Sequence, residues 1–301
     1  MMVLSRCLVN LDDLGPQRVI DILDRAAYFE SSDYRGTQFA QRNVCLCFFQ
    51  PSTRTRVGFA AATGRLGGIP IMIDCVKHQQ DMFAAESVED TIRVIACYSD
   101  VLVMRHKSVD KVRRAASIAR IPFVNGGSGH VFHPTQALID LYAIRRHVGR
   151  LHTLRIGIAG DIATSRTGHS LLRALSWFTP AELRLMHPPS RGPSDDVLQR
   201  LPANVVTAGI ELDPADLDVL YMAGSPPGEG ESRLDEAVRS RFVLTEACME
   251  RLPKSGVVLC ALPRTGDIRS SVDSDPRAMY FAQSAAGLFV RMAILEHMVT
   301  A

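Results

Sequence analysis

FFQPSTRTRVGFAAATGRLGG, residues 48–68, runs from an apolar segment through a proline, three small hydroxyl residues and two arginines into an alanine-rich stretch. CLCFF (45–49) reads as a buried strand, and Pro51-Ser52 marks a sharp turn into a helix beginning near Ser52. Gly67-Gly68 stops that helix. A helix start presents free backbone N–H groups and the positive end of the helix dipole. Ser52, Thr53 and Thr55 add hydroxyl donors there, and Arg54 and Arg56 add guanidinium forks suited to phosphate. A helix that needed only a cap would favour Asp or Glu in this turn, because a cation is unfavourable there unless an anion offsets it. The stretch therefore reads as an anion site. With no GxxxxGK[ST] pattern, it is not a nucleotide P-loop.

Strands and helices alternate on both sides of this turn. PQRVIDILDRAAYF (16–29), SVEDTIRVIACYS (87–99) and KSVDKVRRAASIAR (107–120) have helical spacing, while DVLVM (100–104) and IPFVN (121–125) read as strands. TQALIDLYAIRRHVG (135–149) is a long helix introduced by Pro134 and ended by Gly149. The pattern then restarts with strand LRIGIAG (154–160), helix RTGHSLLRALSWF (166–178) and strands AELRLM (181–186), DVLYM (218–222) and GVVLCAL (256–262). FAQSAAGLFVRMAILEHMV (281–299) is the final helix, and the Pro- and Gly-rich stretches 187–193 and 224–230 are loops. This order predicts two three-layer α/β/α domains, each with a mostly parallel sheet. Their expected extents are 1–134 and 135–280, with the C-terminal helix 281–301 returning to the first.

Composition narrows the function classes. The chain has 301 residues, 47% of them hydrophobic and 22% charged, enough to build sizeable cores. A net charge of +2, from 34 basic and 32 acidic residues, argues against a nucleic-acid binder. The cysteines at 7, 45, 47, 75, 97, 248 and 260 form no Cys-x-x-Cys, so neither a zinc site nor a disulfide scaffold is expected. No apolar run approaches the roughly 20 residues that a membrane span requires. The N-terminus turns polar too early for a signal peptide, and a cytoplasmic chain is expected.

Further polar clusters stand at predicted strand ends, where α/β proteins bind ligands. Arg105 and His106 follow DVLVM. NGGSGHVFHPTQ (125–136) is a Gly-rich loop in which His133, Pro134, Thr135 and Gln136 open a helix. GDIATSRTGHS (160–170) puts Arg166 and His169 at a helix start, where Arg166 is the candidate for a second anion such as a substrate carboxylate. ALPRTGD (261–267) brings Arg264 and backbone carbonyls after a strand. No G-x-G-x-x-G fingerprint supports dinucleotide binding.

PSTRTR (51–56), MRH (104–106), HPTQ (133–136), GD…SRT…HS (160–170) and LPR (262–264), with YF-Q---G-F-R in the last helix (280–291), resemble the aspartate/ornithine carbamoyltransferase superfamily in order and spacing. MRH and LPR favour its aspartate branch. The resemblance implies a carbamoyl-phosphate domain, an amino-acid domain and a homotrimer with active sites at subunit interfaces. It implies that Ser52, Thr53, Arg54 and Thr55 hold the phosphate. Thr55, Arg105 and His133 would polarise the carbamoyl oxygen, and Gln136 would bind the carbamoyl amide. Arg166 would meet the acceptor's α-carboxylate, and the Leu262-Pro263-Arg264 segment would face the carbamoyl group or the amine. Such a reaction calls for no metal, cofactor or covalent nucleophile, since the departing phosphate can take up the amine proton.

Departures from the pattern bear on the acceptor. Where the family has a serine and, four residues on, a phosphate-contacting lysine, this chain has Gln80 and Ala84, with Lys77 and His78 as the nearest upstream substitutes. Losing a charged phosphate partner would cost orders of magnitude in rate. Gly224 and Pro226 stand where the aspartate branch has the Arg and Gln that read the acceptor's side-chain carboxylate. Gln50 replaces a common Glu, and Gly58 a common Ser. A carbamoyltransferase acting on an amine other than aspartate is the expectation. The alternatives are a weak or inactive paralogue serving as a structural or regulatory subunit, and another acyl-phosphate reaction on the same scaffold.

Overall fold

A computed structural model describes residues 6–74, 86–224 and 234–300. The chain divides into two compact units, residues 1–139 with 286–301, and residues 140–285.

In the first unit the strands are β1 (Cys7–Leu8), β2 (Asn43–Phe48), β3 (Ile69–Asp74), β4 (Val101–His106) and β5 (Phe123–Ser128). They pair in the order β1-β5-β4-β2-β3, and every pairing is parallel. The helices are α1 (Gly15–Ser31), α2 (Thr53–Arg65), α3 (Val88–Ala96), α4 (Val109–Ile118) and the start of α5 (Pro134–Val148). β4 is buried at every position and β2 at all but its first, as expected for strands covered on both faces. Cys45, Cys47, Ile92, Leu102, Met104, Val112 and Phe123 share one core cluster. Each fully buried Leu, Ile or Phe here stabilises the fold by about 1.5–3 kcal/mol.

The edge strand β3 is absent from the sequence reading. Pro70 inside IPIMID argues against a strand, because proline cannot donate to the ladder. The structure accommodates it by placing β3 at the sheet edge, where, among the described residues, Pro70 pairs only with Val44. β1 has two residues and is too short to show any period.

The second unit repeats the design. Its strands β6 (Arg155–Ala159), β7 (Glu182–Met186), β8 (Val206–Gly209), β9 (Val219–Met222) and β10 (Val257–Cys260) order as β10-β9-β6-β7-β8, again all parallel. α6 (Arg166–Leu175) and the short helices α7 (Asp195–Leu198), α8 (Glu236–Arg239) and α9 (Glu246–Arg251) connect them. Leu217, Leu220, Met222, Phe242, Leu244, Val258 and Tyr280 belong to its core. β8 is VTAG with its middle residues exposed, which explains why no apolar pattern announced it.

The last helix, α10 (Tyr280–Thr300), belongs to the second unit up to residue 285 and to the first from residue 286. Glu296 accepts from Arg25 of α1 through both oxygens, at 2.5 and 2.7 Å. Arg25 also lies 4.4 Å from the ring centroids of Tyr28 and Phe29, so the clamp combines charge with stacking.

Candidate active site

The opening stretch folds as its residues require. β2 ends at Phe48, Phe49 N–H donates to the Arg105 carbonyl at 2.9 Å, and Ser52 is the extended N-cap of α2. Ser87, Ser108, Ser165 and Thr245 each cap their own helix by accepting a backbone N–H. Ser52 makes no such bond, and the first turn of α2 carries no acidic residue. Its hydroxyl is not spent on capping, so hydroxyl, N–H groups and dipole are all available to an anion. Thr53 and Arg54 are exposed, Ser52 is half-buried and Thr55 is buried.

Thr55 turns towards the end of β5, its Cγ2 3.5 Å from where a Cβ on Gly126 would stand. Beside it, Arg105 donates through Nη1 to the Gly126 carbonyl at 3.2 Å. The β4–β5 register slips between Met104 and His106, a local irregularity of the kind that re-aims a side chain at a strand end. Gly127 has φ +118°, and a Cβ there would lie 2.7 Å from Arg105 Nη1 and 3.2 Å from His133 Cδ2. The missing side chain lets a guanidinium and an imidazole meet on one small patch. Asn125 braces the glycine turn by accepting from Gly127 N–H at 2.9 Å and donating to the Val9 carbonyl at 2.8 Å.

His133 caps α5 through its carbonyl, which accepts from the N–H groups of Gln136 and Ala137. Its Nδ1 lies 3.3 Å from Thr135 Oγ1, leaving Nε2 on the side of Gly127. Gln136, in the same turn, is buried. Thr55, Arg105 and His133 are thus drawn to one glycine-lined strand end. His106 belongs elsewhere. It is fully buried, accepts from Ser108 N–H at 2.8 Å and packs edge-on against Phe49. Burial and nearby Lys111 hold its pKa below the ordinary histidine value.

In the second unit Arg166 opens α6 behind the N-cap Ser165, and burial lowers the pKa of its guanidinium. Such a desolvated cation at a helix start suits a carboxylate. Gly224 follows β9 with φ +108°, and its carbonyl accepts from Asp161 N–H at 3.1 Å at the end of β6. Leu262 has φ +58°, a left-handed conformation uncommon for a non-glycine residue, and its bond to Pro263 is cis. Arg264 is committed to Asp273 through both nitrogens and stacks over Tyr280 and Phe281. Its guanidinium therefore serves the framework of the segment as arranged here. Gln80, Ala84, Lys77, His78 and Pro226 lie outside the described residues.

The sequence reading assigned no role to the support beneath Leu262. Gln283 of α10 accepts from Cys260 N–H at 2.9 Å and donates to the buried Asp140 at 2.6 Å. This chain of bonds holds the end of β10 from behind. Its sequence signal is Gln283 within the YF-Q---G-F-R pattern of the last helix.

Two family models cover nearly the whole chain. "Aspartate/ornithine carbamoyltransferase, carbamoyl-P binding domain" matches residues 6–146, and "Aspartate/ornithine carbamoyltransferase, Asp/Orn binding domain" matches residues 152–298. The chloroplastic aspartate carbamoyltransferase of Oryza sativa is 37% identical over 83% of this chain and 70% of its own. The catalytic subunit of Methanocaldococcus jannaschii aspartate transcarbamoylase superposes with a TM-score of 0.89 at 34% identity, covering 98% of both chains. The Trypanosoma cruzi aspartate transcarbamoylase in complex with carbamoyl phosphate gives a TM-score of 0.90 at 29% identity, over 97% of this chain and 95% of that one. Site geometry, both domain models and near-complete structural superposition agree: this chain belongs to the aspartate/ornithine carbamoyltransferase family.

Proposed function

We propose that this chain transfers the carbamoyl group of carbamoyl phosphate to the amine of an amino acid, with aspartate the foremost acceptor. The observation that carries the reading is the meeting of Arg105 and His133 on Gly127, with Thr55 beside them at Gly126. Ser52, Thr53, Arg54 and Thr55 bind the phosphate on the uncapped start of α2. Thr55, Arg105 and His133 hold the carbamoyl oxygen, and Gln136 holds the carbamoyl amide. Arg166 takes the acceptor's α-carboxylate, while the Leu262-Pro263 segment faces the amine.

The neutral amine attacks the carbamoyl carbon, and negative charge grows on the carbonyl oxygen. Preorganised donors stabilise that oxyanion, each worth on the order of 10²–10³ in rate. The N–C bond forms, the bond to the phosphate oxygen breaks, and the leaving phosphate takes the amine proton. Holding both substrates in register supplies much of the remaining acceleration.

Aspartate enters from the names of the relatives, which give no support to a different acceptor or to an inactive paralogue. One observation favours a second reading: Gly224, where the aspartate branch has an arginine, brings no side chain to a second carboxylate. Purified protein with carbamoyl phosphate and a panel of amino acids distinguishes them. Ureido product from aspartate above all other amines supports the first reading. Preference for a non-acidic amine supports the second, and no turnover with any amine overturns both.

We place the active form in the cytoplasm as a homotrimer with sites at subunit interfaces. The family resemblance supports the assembly, and cysteine spacing that fits no disulfide scaffold supports the compartment. Sedimentation of the purified protein tests the assembly.

A further inference from the structure

Arg291 of α10 is only 5% exposed, and its guanidinium lies flat against α2. A Cβ on Gly58 would stand 2.5 Å from Arg291 Nη1 and 2.9 Å from Nε, and one on Gly287 would stand 2.7 Å from Nη1. Two glycines thus make the groove that admits it, and the Phe59 ring centroid lies 5.7 Å from its Cζ. Its Nε is buried without a hydrogen-bond partner among the described residues.

No carboxylate on the enclosing helices is available to it. α2, TRTRVGFAAATGR, contains no acidic residue, and the only one in α10 is Glu296, which is bound to Arg25. Burial, and after it the like charge of nearby Arg54, lowers the pKa of Arg291 to about 10. A buried cation with a like charge for a neighbour is unfavourable until an anion arrives.

We propose that Arg291 is a positioning residue for the phosphate site, a buried charge whose counter-ion is the phosphate bound at the start of α2. The inference rests on the carbamoyl-phosphate reading above. Gly58 lies six residues beyond Ser52 in sequence, which is about 9 Å along a helix at 1.5 Å per residue. At an effective dielectric of about 20, a unit charge at that distance strengthens binding of a unit anion on the order of tenfold. The site is thus charged from behind, by a group that need not touch the ligand. The ligand-free protein gives up stability in exchange.

The test uses the full chain, with inorganic phosphate as the probe, in calorimetric titration and thermal melts. R291M is expected to weaken phosphate binding about tenfold, with a ligand-free melting temperature equal to or above that of the wild type. R291K, which keeps the charge, is expected to restore most of the affinity. Wild type and R291M binding phosphate alike would overturn the inference and leave the carbamoyl-phosphate reading standing. Wild type that binds no phosphate overturns both. An R291K variant no better than R291M also overturns it, since shape rather than charge would then matter. Should R291M fail to fold, R291Q removes the charge while keeping a polar chain and carries the same comparison.

Discussion

Gln283 donates to Asp140 at 2.6 Å while accepting from the backbone of Cys260 at 2.9 Å, joining the last helix to the strand end that leads into Leu262-Pro263. Both Gln283 and Asp140 are buried. Gln283→Leu leaves the Cys260 N–H unmade and takes a donor from a buried carboxyl. It should destabilise the protein by about 2–4 kcal/mol, since orphaned buried groups carry their full desolvation cost. Denaturant unfolding measures the loss. Turnover in the surviving folded fraction should fall too, because the segment proposed to face the amine loses its brace.

Gly127→Ala tests the patch directly. A methyl group there would stand 2.7 Å from Arg105 Nη1 on a backbone with φ +118°. The conformation costs on the order of 1–3 kcal/mol for a residue with a side chain. Displacing Arg105 and the His133 ring should lower kcat by roughly 10²–10³, the effect of losing an oxyanion donor. Steady-state kinetics with saturating carbamoyl phosphate reads this, and a variant with wild-type kcat would remove the patch from the mechanism.

Arg166 and Arg54 should separate by substrate. Arg166→Leu is expected to raise the KM for the amino acid by about tenfold or more, since a charge-assisted hydrogen bond contributes roughly 1.5–3 kcal/mol. The affinity for phosphate should be unchanged. Arg54→Leu should show the converse, with weakened phosphate binding by titration. Equal effects of both variants on both substrates would contradict the assignment of one anion to each.

His106 predicts a pH dependence of stability with a definite sign. Burial and Lys111 depress its pKa in the folded protein, and its Nδ1 must stay unprotonated to accept from Ser108 N–H. The unfolded chain therefore takes up the proton first. Stability is full above the unfolded value of about 6.5 and is lost as pH falls through the depressed folded value. His297 of α10 is depressed as well, chiefly by burial, and adds in the same direction. Thermal melts at pH 8 and at pH near 5 should show a smaller loss for His106→Asn than for the wild type.

The site was legible in the sequence to an unequal degree. Arg54, Thr55, Arg105, His133 and Arg166 stand at strand-to-helix junctions, and local chain geometry alone sends such positions to the ligand edge of a parallel sheet. Arg264 sits in an equally suggestive segment, yet its guanidinium is taken by Asp273, nine residues away. His106 directly follows Arg105 but packs against Phe49, because successive side chains of a strand point to opposite faces. The run MRH by itself does not say which of the two faces the ligand.

By itself the sequence determined the alternation of strands and helices, the doubled α/β layout, and the anion-seeking start of α2. Each follows from hydrophobic period, turn chemistry and the helix dipole, which act over a few residues. Only the tertiary structure decided that Pro70 lies in an edge strand, that Gly127 makes room for Arg105 beside His133, and that Gln283 reaches Asp140. It also decided that Arg291 is buried against Gly58 without a carboxylate partner among the described residues. These relationships join residues far apart in the chain. They rest on close packing, in which a missing methyl group or an unmatched buried charge has meaning only through its neighbours.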